Sequence, residues 1–225
     1  MIDSLSPQML QPLWLTLKVA LLATLIAGAC GIAVGRWMAQ RRFAGHSVLD
    51  AMLVLPMVLP PTVLGYYLIV LIGRHGVIGQ WLEQWFGIQL LFTWQGAVIA
   101  AAVVAFPLIY KAARAAFEDT DARFAQAART LGASELEVFW RIALPLATRG
   151  IAAGLALTFA RAMGEFGATL MIAGNLPGKT QTLSVAVYTA VQAGDDPLAL
   201  SLTLVISVLC IVLLVIASRL LQPRH

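Results

Sequence analysis

Charged residues are scarce in this sequence. They make up 12% of its 225 residues, whereas a soluble domain normally carries about 25%. Hydrophobic residues make up 60%, and a chain of this length cannot bury so many apolar side chains in one soluble core. The composition therefore excludes a soluble enzyme, a secreted disulfide scaffold and a disordered chain, and it places the excess apolar surface in lipid.

Cysteine and histidine are rare as well. Both cysteines, Cys30 and Cys210, fall inside apolar runs, which favours small core residues over a disulfide. The three histidines are scattered, and no Cys/His spacing is typical of a zinc site. We therefore expect this chain to hold no metal.

Long apolar runs are what the sequence has in abundance. Five stretches each supply about 20 or more mostly apolar residues, the length that a helix needs to cross a bilayer. They predict transmembrane helices at residues 13–35, 48–72, 94–113, 150–173 and 198–220. The expected fold class is an all-α integral membrane protein with one domain over residues 1–225. A signal peptide is the alternative for the first span, but Lys18, its only basic residue, lies within the apolar run, which favours a retained helix.

Basic residues are distributed unequally between the two sides of these spans. Eleven of the fifteen Lys and Arg residues fall in loops 36–47 and 114–149, in the tail after residue 220, or at the adjoining span ends. Only three fall on the opposite side. The positive-inside rule predicts an N-terminus outside and a C-terminus in the cytoplasm. The basic excess is then a topology signal, and we expect no nucleic-acid partner.

The loop after the second span contains apolar residues at helical spacing between Val77 and Phe86. This pattern predicts a short amphipathic helix that lies on the membrane lipid. A sixth span would require residues 77–93 to enter the bilayer as a hairpin, which their shortness and Glu83 disfavour.

The second span carries prolines in its middle, at positions 56, 60 and 61. Each proline removes a backbone donor, so the helix is expected to bend or break there. A broken backbone at membrane depth is tolerated only against protein or a water-filled path. Pro60, Pro61 and Thr62 are therefore candidates for the translocation pathway, with a merely structural kink as the alternative.

Two charged residues lie deep in the fourth span. Arg161 and Glu165 are four residues apart, which predicts that they share one face of a continuous helix. Charges at this depth normally face the interior and find partners. The pair either packs the bundle as an ion pair or places Arg161 on the path of an anion, with Glu165 orienting it.

The loop at residues 114–149 is long enough to have structure of its own. An alanine-rich stretch from Asp121 predicts one short helix, interrupted at Gly132. Ser134 and Glu137 have the spacing of a capping box, which predicts a second helix that Pro145 would end. From the pattern alone, the first helix either docks into a partner protein or lies on lipid.

Within this loop, Gln126-Ala127-Ala128, then Gly132, then Ile142-Ala143-Leu144-Pro145 resembles the EAA loop of ABC-importer permeases. The resemblance implies that the first loop helix is a coupling helix, which meets a cytoplasmic ATPase subunit through Gln126, Ala127, Ala128, Gly132, Ala133 and Ser134. Gln126 stands where the family usually has glutamate, which leaves a salt-bridge role of that position in doubt.

Three further stretches are similar to molybdate and sulfate permeases. They are Leu55–Gly65, Ala160–Ala168 and Ala173–Leu183, of which the last is most similar to the molybdate branch. The resemblance implies the type I ABC importer permease fold, with five spans in this chain, and a molybdate permease that works by alternating access in a bacterial inner membrane.

The same resemblance implies the partners. They are a second copy of the chain, two ABC ATPase subunits that bind ATP and magnesium, and a periplasmic molybdate-binding protein. The chain itself is then no enzyme and holds no cofactor. A permease for sulfate, thiosulfate or tungstate is the nearest alternative, and a secondary anion transporter, a channel or a membrane anchoring protein is a more distant one.

Overall fold

The computed structural model describes residues 7–221, and every regular element in that part of the chain is a helix. In chain order the α-helices are α1 (Pro7–Gln40), α2 (His46–Val58), α3 (Pro61–Ile72), α4 (Val77–Phe86), α5 (Trp94–Glu118), α6 (Ala122–Thr130), α7 (Glu135–Val138), α8 (Leu144–Met163), α9 (Gly167–Ala173), α10 (Leu183–Gln192) and α11 (Asp196–Leu221). A π-helical turn, Phe139–Ala143, joins α7 to α8. Arg224, which contributed to the topology prediction, lies outside the described residues.

Helices cover all five predicted spans, and four of these helices are long enough to cross a bilayer. α1, α5, α11 and the continuous helix Glu135–Met163 are each long and apolar enough to cross a bilayer. The remaining span is the pair α2 and α3, whose axes are bent by 111°. This confirms the all-α membrane fold and the break expected in the second span.

Consecutive prolines explain the position of that break. A residue before proline is disfavoured in the helical region, and both Leu59 and Pro60 precede a proline. Accordingly, Leu59 has φ −68° and ψ 142°, and Pro60 has φ −53° and ψ 136°, both extended. Pro61 then begins α3, where a missing N–H removes no helical hydrogen bond. Pro56 does not break the chain as expected, because it lies within α2.

Glycine pairs on two helices hold α5 at the centre of the bundle. Gly31 and Gly35 of α1 face the backbone of α5, and Cβ atoms there would lie 3.1 Å from the Tyr110 nitrogen and 2.9 Å from the Arg114 nitrogen, respectively. Gly154 of α8 also faces α5, so closely that a Cβ would lie 2.5 Å from the Cβ of Ala112. Small residues at four-residue spacing allow helices to pack backbone to backbone in a membrane.

Two short helices lie beside this bundle. The amphipathic helix expected after the second span is α4, and its ten residues are about half of what a spanning helix needs. Its Trp81 and Trp85 are exposed. The sequence patterns did not predict α10, which is anchored because the Leu183 nitrogen donates to Thr16 Oγ1 over 2.8 Å.

The prediction that Pro145 ends the second loop helix is wrong. Proline cannot donate to the carbonyl four residues back, and its ring clashes with that carbonyl in a regular α-helix. The π-helical turn lies directly before it, and there the Leu144 nitrogen donates to Phe139 O, five residues back. This wider turn allows the helix to continue from Glu135 through Met163.

We predict that Gly154→Ala destabilises the protein although alanine is the better helix former. The added methyl group would lie 2.5 Å from the Ala112 side chain and 3.0 Å from Ile109 Cδ1, and overpacking of this kind costs about 1–3 kcal/mol. The measurement is the thermal unfolding midpoint in detergent.

Ala152→Leu is the matched control, because it adds bulk at an exposed position of the same helix. Its midpoint should change little, because a substitution of this kind alters the free energy of unfolding by no more than about 0.5 kcal/mol. A midpoint for Gly154→Ala at or above that of the parent would contradict the close approach of α8 and α5.

Candidate coupling loop and translocation site

Gly132 ends α6 in a Schellman motif. The Ala133 nitrogen donates to Ala128 O over 3.0 Å, and the Gly132 nitrogen donates to Arg129 O over 3.0 Å, which are the two hydrogen bonds of that motif. The motif requires a residue in the left-handed backbone conformation directly after the helix, and Gly132 has φ +85°. The predicted interruption at Gly132 therefore has a specific cause in backbone geometry.

Most of the predicted coupling residues are accessible to a partner. Gln126, Ala127, Gly132 and Ser134 are exposed, while Ala128 and Ala133 are half-buried. Within residues 7–221, the Gln126 side chain has no hydrogen bond or ion pair. The surface of α6 thus presents the small side chain of Ala127 and the free amide of Gln126, together with the exposed ring of Phe124.

The turn after α6 leads directly into the next helix. Ser134 caps α7 through the predicted capping box, in which its Oγ accepts from the Glu137 nitrogen over 3.3 Å and its own nitrogen donates to Glu137 Oε2 over 3.1 Å. Across the turn, Arg129 Nε and Nη2 donate to Glu135 over 2.5 and 3.1 Å. These hydrogen bonds raise the pKa of Arg129 above its ordinary value, so this guanidinium stays charged.

The turn is also connected to α1. The Arg36 guanidinium carbon lies 4.4 Å from the ring centre of Phe139, in the geometry of a cation–π contact. Phe139 begins the π-helical turn. The candidate coupling loop therefore contacts α1 as well as α8.

The predicted fourth span, residues 150–173, is interrupted after Met163, which the sequence did not predict. Helix α8 ends at Met163 and α9 begins at Gly167, so Arg161 and Glu165 do not lie on one continuous helix. They nevertheless form the predicted ion pair, because Arg161 Nη1 donates to Glu165 Oε2 over 2.8 Å. The second carboxylate oxygen of Glu165 accepts from the Ala168 nitrogen over 2.9 Å and so satisfies the first turn of α9.

The two side chains of this ion pair differ in burial. The Glu165 side chain is 2% exposed, whereas that of Arg161 is 38% exposed. Glu165 is therefore a fixed partner within the break, and Arg161 presents its remaining donors to the surface. A guanidinium with free donors can bind the oxygens of an oxyanion.

The break between α2 and α3 meets the interruption between α8 and α9. A Cβ on Gly167 would lie 2.7 Å from the Cβ of Pro61, and a Cβ on Gly65 would lie 2.8 Å from the Cβ of Met171. The proline break thus packs against the break that contains Glu165, and the neighbouring residues Pro60 and Thr62 are exposed beside it. All five predicted pathway residues belong to these two breaks or to their flanks.

Residues 31–224 match the model of a protein family described as the binding-protein-dependent transport system inner membrane component. The chain belongs to this family. Family members are permease subunits rather than enzymes.

Two relatives and one solved structure illustrate the similarity. The molybdenum transport system permease protein ModB of Escherichia coli is 46% identical over 209 residues, which are 92% of this chain and 91% of that protein. The sulfate transport system permease protein CysT of Escherichia coli is 34% identical over 93% of this chain and 75% of that protein. A bacterial alginate ABC transporter, solved in complex with an alginate-bound periplasmic protein, aligns with a TM-score of 0.74 and 18% identity over 96% of this chain and 80% of that chain.

A polar cluster in this permease was not expected from the sequence. Asp50 of α2 accepts from Tyr110 Oη over 2.6 Å, from Lys111 Nζ over 2.7 Å and from Arg114 Nη1 over 2.7 Å, all three on α5. Arg114 also binds Glu118 over 2.8 Å. Because no residue of α2 is buried, this cluster is the principal polar attachment of the first half of the broken span.

We predict that Asp50→Asn lowers the free energy of unfolding of the permease by about 1.5–3 kcal/mol, the range for a hydrogen bond to a charged group. The substitution removes the negative charge that Lys111 and Arg114 share. Chemical denaturation in detergent measures the change. Lys111→Gln is the control and should cost less than about 1 kcal/mol, since Lys111 is 48% exposed; equal losses in the two variants would contradict a central role for Asp50.

We also predict that Gly132→Val impairs transport by the assembled system while Gly132→Asn largely preserves it. Valine at φ +85° costs at least about 1–2 kcal/mol, whereas asparagine tolerates the left-handed region. Uptake of the transported anion into membrane vesicles measures the difference. Equal activity of the two variants would show that the left-handed turn is not what the loop requires.

Proposed function

We propose that this permease carries molybdate across the membrane for an ATP-driven importer. The observation that supports this most directly is the 46% identity, over nearly the whole of both chains, to a molybdenum transport system permease protein. The sulfate permease is less similar, at 34%, and is covered over only 75% of its length. Sulfate is therefore the second candidate substrate, and tungstate has the same shape and charge as molybdate.

In the proposed assembly, two copies of the chain form the pathway between them, each as a single domain over residues 1–225. Two separate ATPase subunits bind ATP and magnesium, and a periplasmic protein delivers the anion. The alginate transporter complexed with its periplasmic protein supports this arrangement at the level of the fold. We place α6 in the ATPase cleft, because its exposed face carries Gln126 and Ala127.

The proposed orientation places the α6 end of the bundle in the cytoplasm and the N-terminus outside, in a bacterial inner membrane. The distribution of basic residues supports it. In this orientation α4 lies on the outer membrane surface, where its exposed Trp81 and Trp85 suit the headgroup region.

A continuous helix provides the mechanical link between the ATPase and the pathway. The Schellman turn and the capping box hold α6 to α7, and the helix then runs unbroken for 29 residues from Glu135 to Met163. At 1.5 Å per residue this is about 44 Å. Closure of the ATPases on ATP would move α6 and this helix together, and would displace the Arg161–Glu165 break against the proline break. Such a movement would open the pathway outward, and hydrolysis would reverse it.

Uptake by reconstituted vesicles tests the proposal. The complete transporter, with its ATPase and binding protein, should accumulate molybdate only when ATP is present, and sulfate at least about tenfold more slowly at equal concentration. Faster uptake of sulfate would assign the chain to the sulfate branch. Uptake without ATP would indicate a secondary transporter.

Arg161→Ala tests the pathway assignment in the same vesicles. It should reduce molybdate uptake strongly while the ATPase subunits still co-purify with the permease, since the substitution lies far from α6. Arg161→Lys is the matched variant, because it keeps the charge but loses the planar set of donors. Normal uptake by the alanine variant would overturn a role of Arg161 in transport.

A further inference from the structure

A large polar cavity opens at the α6 end of the bundle. Its volume is about 1000 Å³. Its walls come from the end of α1, the connection between α1 and α2, the C-terminal end of α5, and the loop that carries α6. None of the candidate pathway residues lines it, so it is separate from the translocation site.

The acidic side chains in the cavity wall already have partners. Glu118 binds Arg114 over 2.8 Å, and Glu135 binds Arg129 over 2.5 Å. Asp121 accepts from the backbone nitrogen of Arg123 over 2.9 Å, as the cap of α6. The carboxylates of Glu118 and Glu135 are therefore each paired with an arginine, whereas that of Asp121 caps α6 and keeps its negative charge.

Two arginines of the wall have no such partner. Arg41 and Arg42 follow α1 directly, line the cavity and are exposed. Within residues 7–221 neither forms an ion pair or a hydrogen bond. The cavity therefore carries two adjacent guanidinium groups whose donors are free, and these are suited to bidentate recognition of a phosphate.

Aromatic side chains indicate the depth at which these arginines lie. Trp37 and Phe43 flank the pair in sequence, each is 41% exposed, and their ring centres are 5.5 Å apart. Tryptophan at the ends of spans concentrates at the level of lipid headgroups, and Phe43 packs against this tryptophan. The next helix, α2, begins at the cavity wall with His46 and presents exposed apolar side chains such as Val48 and Met52 further along, where an acyl chain can lie.

We propose that this cavity binds the phosphate headgroup of an anionic phospholipid through Arg41 and Arg42. Basic pockets between transmembrane helices on the cytoplasmic side are suited to such headgroups. A bound headgroup would connect the α1–α2 turn to the loop that carries α6. The choice of lipid as the source of the phosphate rests on the aromatic pair and on the apolar face of α2.

Native mass spectrometry of the intact, delipidated transporter complex tests the proposal. Phosphatidylglycerol and phosphatidylcholine are titrated separately, and their binding to the parent complex and to an Arg41→Gln/Arg42→Gln variant is compared. Each basic residue near anionic lipid contributes about fivefold in affinity, so the variant should lose about 30-fold of the preference for phosphatidylglycerol. Arg41→Lys/Arg42→Lys should keep most of it.

Arg149→Gln is the matched control, since it removes an exposed arginine at the same end of the bundle that does not line the cavity. It should keep the preference for phosphatidylglycerol. An unchanged preference in the Arg41→Gln/Arg42→Gln variant would overturn the proposal, as would dissociation of the ATPase subunits from that variant with lipid binding intact, because the arginines would then contact protein.

Inorganic phosphate provides the last arm of the test. If it binds the parent complex as tightly as phosphatidylglycerol and displaces it, the site takes a free anion and the lipid assignment is wrong. If millimolar phosphate leaves phosphatidylglycerol bound, the lipid assignment is supported. The readout is lipid binding rather than uptake, so its failure is distinguishable from a failure of the proposed transport function.

Discussion

The close approach of three helix backbones is the constraint on which the rest of this structure depends. Helix α5 is approached by glycines of α1 and by glycines of α8, at distances that leave no room for a Cβ atom. In a bilayer, apolar side chains gain little by leaving lipid for each other, so association relies on such van der Waals contact. The arrangement places α8 rigidly beside α5 and positions everything that follows α8.

The same close packing explains how the two breaks, between α2 and α3 and between α8 and α9, are tolerated. Irregular backbone is costly in lipid unless protein covers it, and here each break helps to cover the other through Gly167 and Pro61. Glu165 satisfies both the Arg161 guanidinium and the first turn of α9. A single carboxylate thus pairs with a positive charge and accepts a hydrogen bond from the first turn of a helix.

Charge is used sparingly throughout the described residues, and each deep charge has an assigned partner. Asp50 receives three donors from α5 and attaches α2, which otherwise has no buried residue. At the α6 end, by contrast, Arg41 and Arg42 have no hydrogen bond or ion pair within the described residues and line a large cavity. Structural charges and charges available to a ligand are therefore distinguishable in this permease.

Local chemistry in the sequence was sufficient to predict the spans, the proline break, the amphipathic helix and the turn at Gly132, because apolar length, proline sterics and capping act over a few neighbouring residues. It also predicted the Arg161–Glu165 pair, since four residues separate them. Tertiary structure alone decided the rest. Asp50 meets partners about 60 positions away, the fourth span breaks where Gly167 packs on Pro61, and Pro145 stays in a helix because a π-helical turn precedes it. The contacts of Asp50 and of Gly167 join distant segments, which no local pattern records, and the wider turn before Pro145 is a backbone conformation that the residue pattern does not specify.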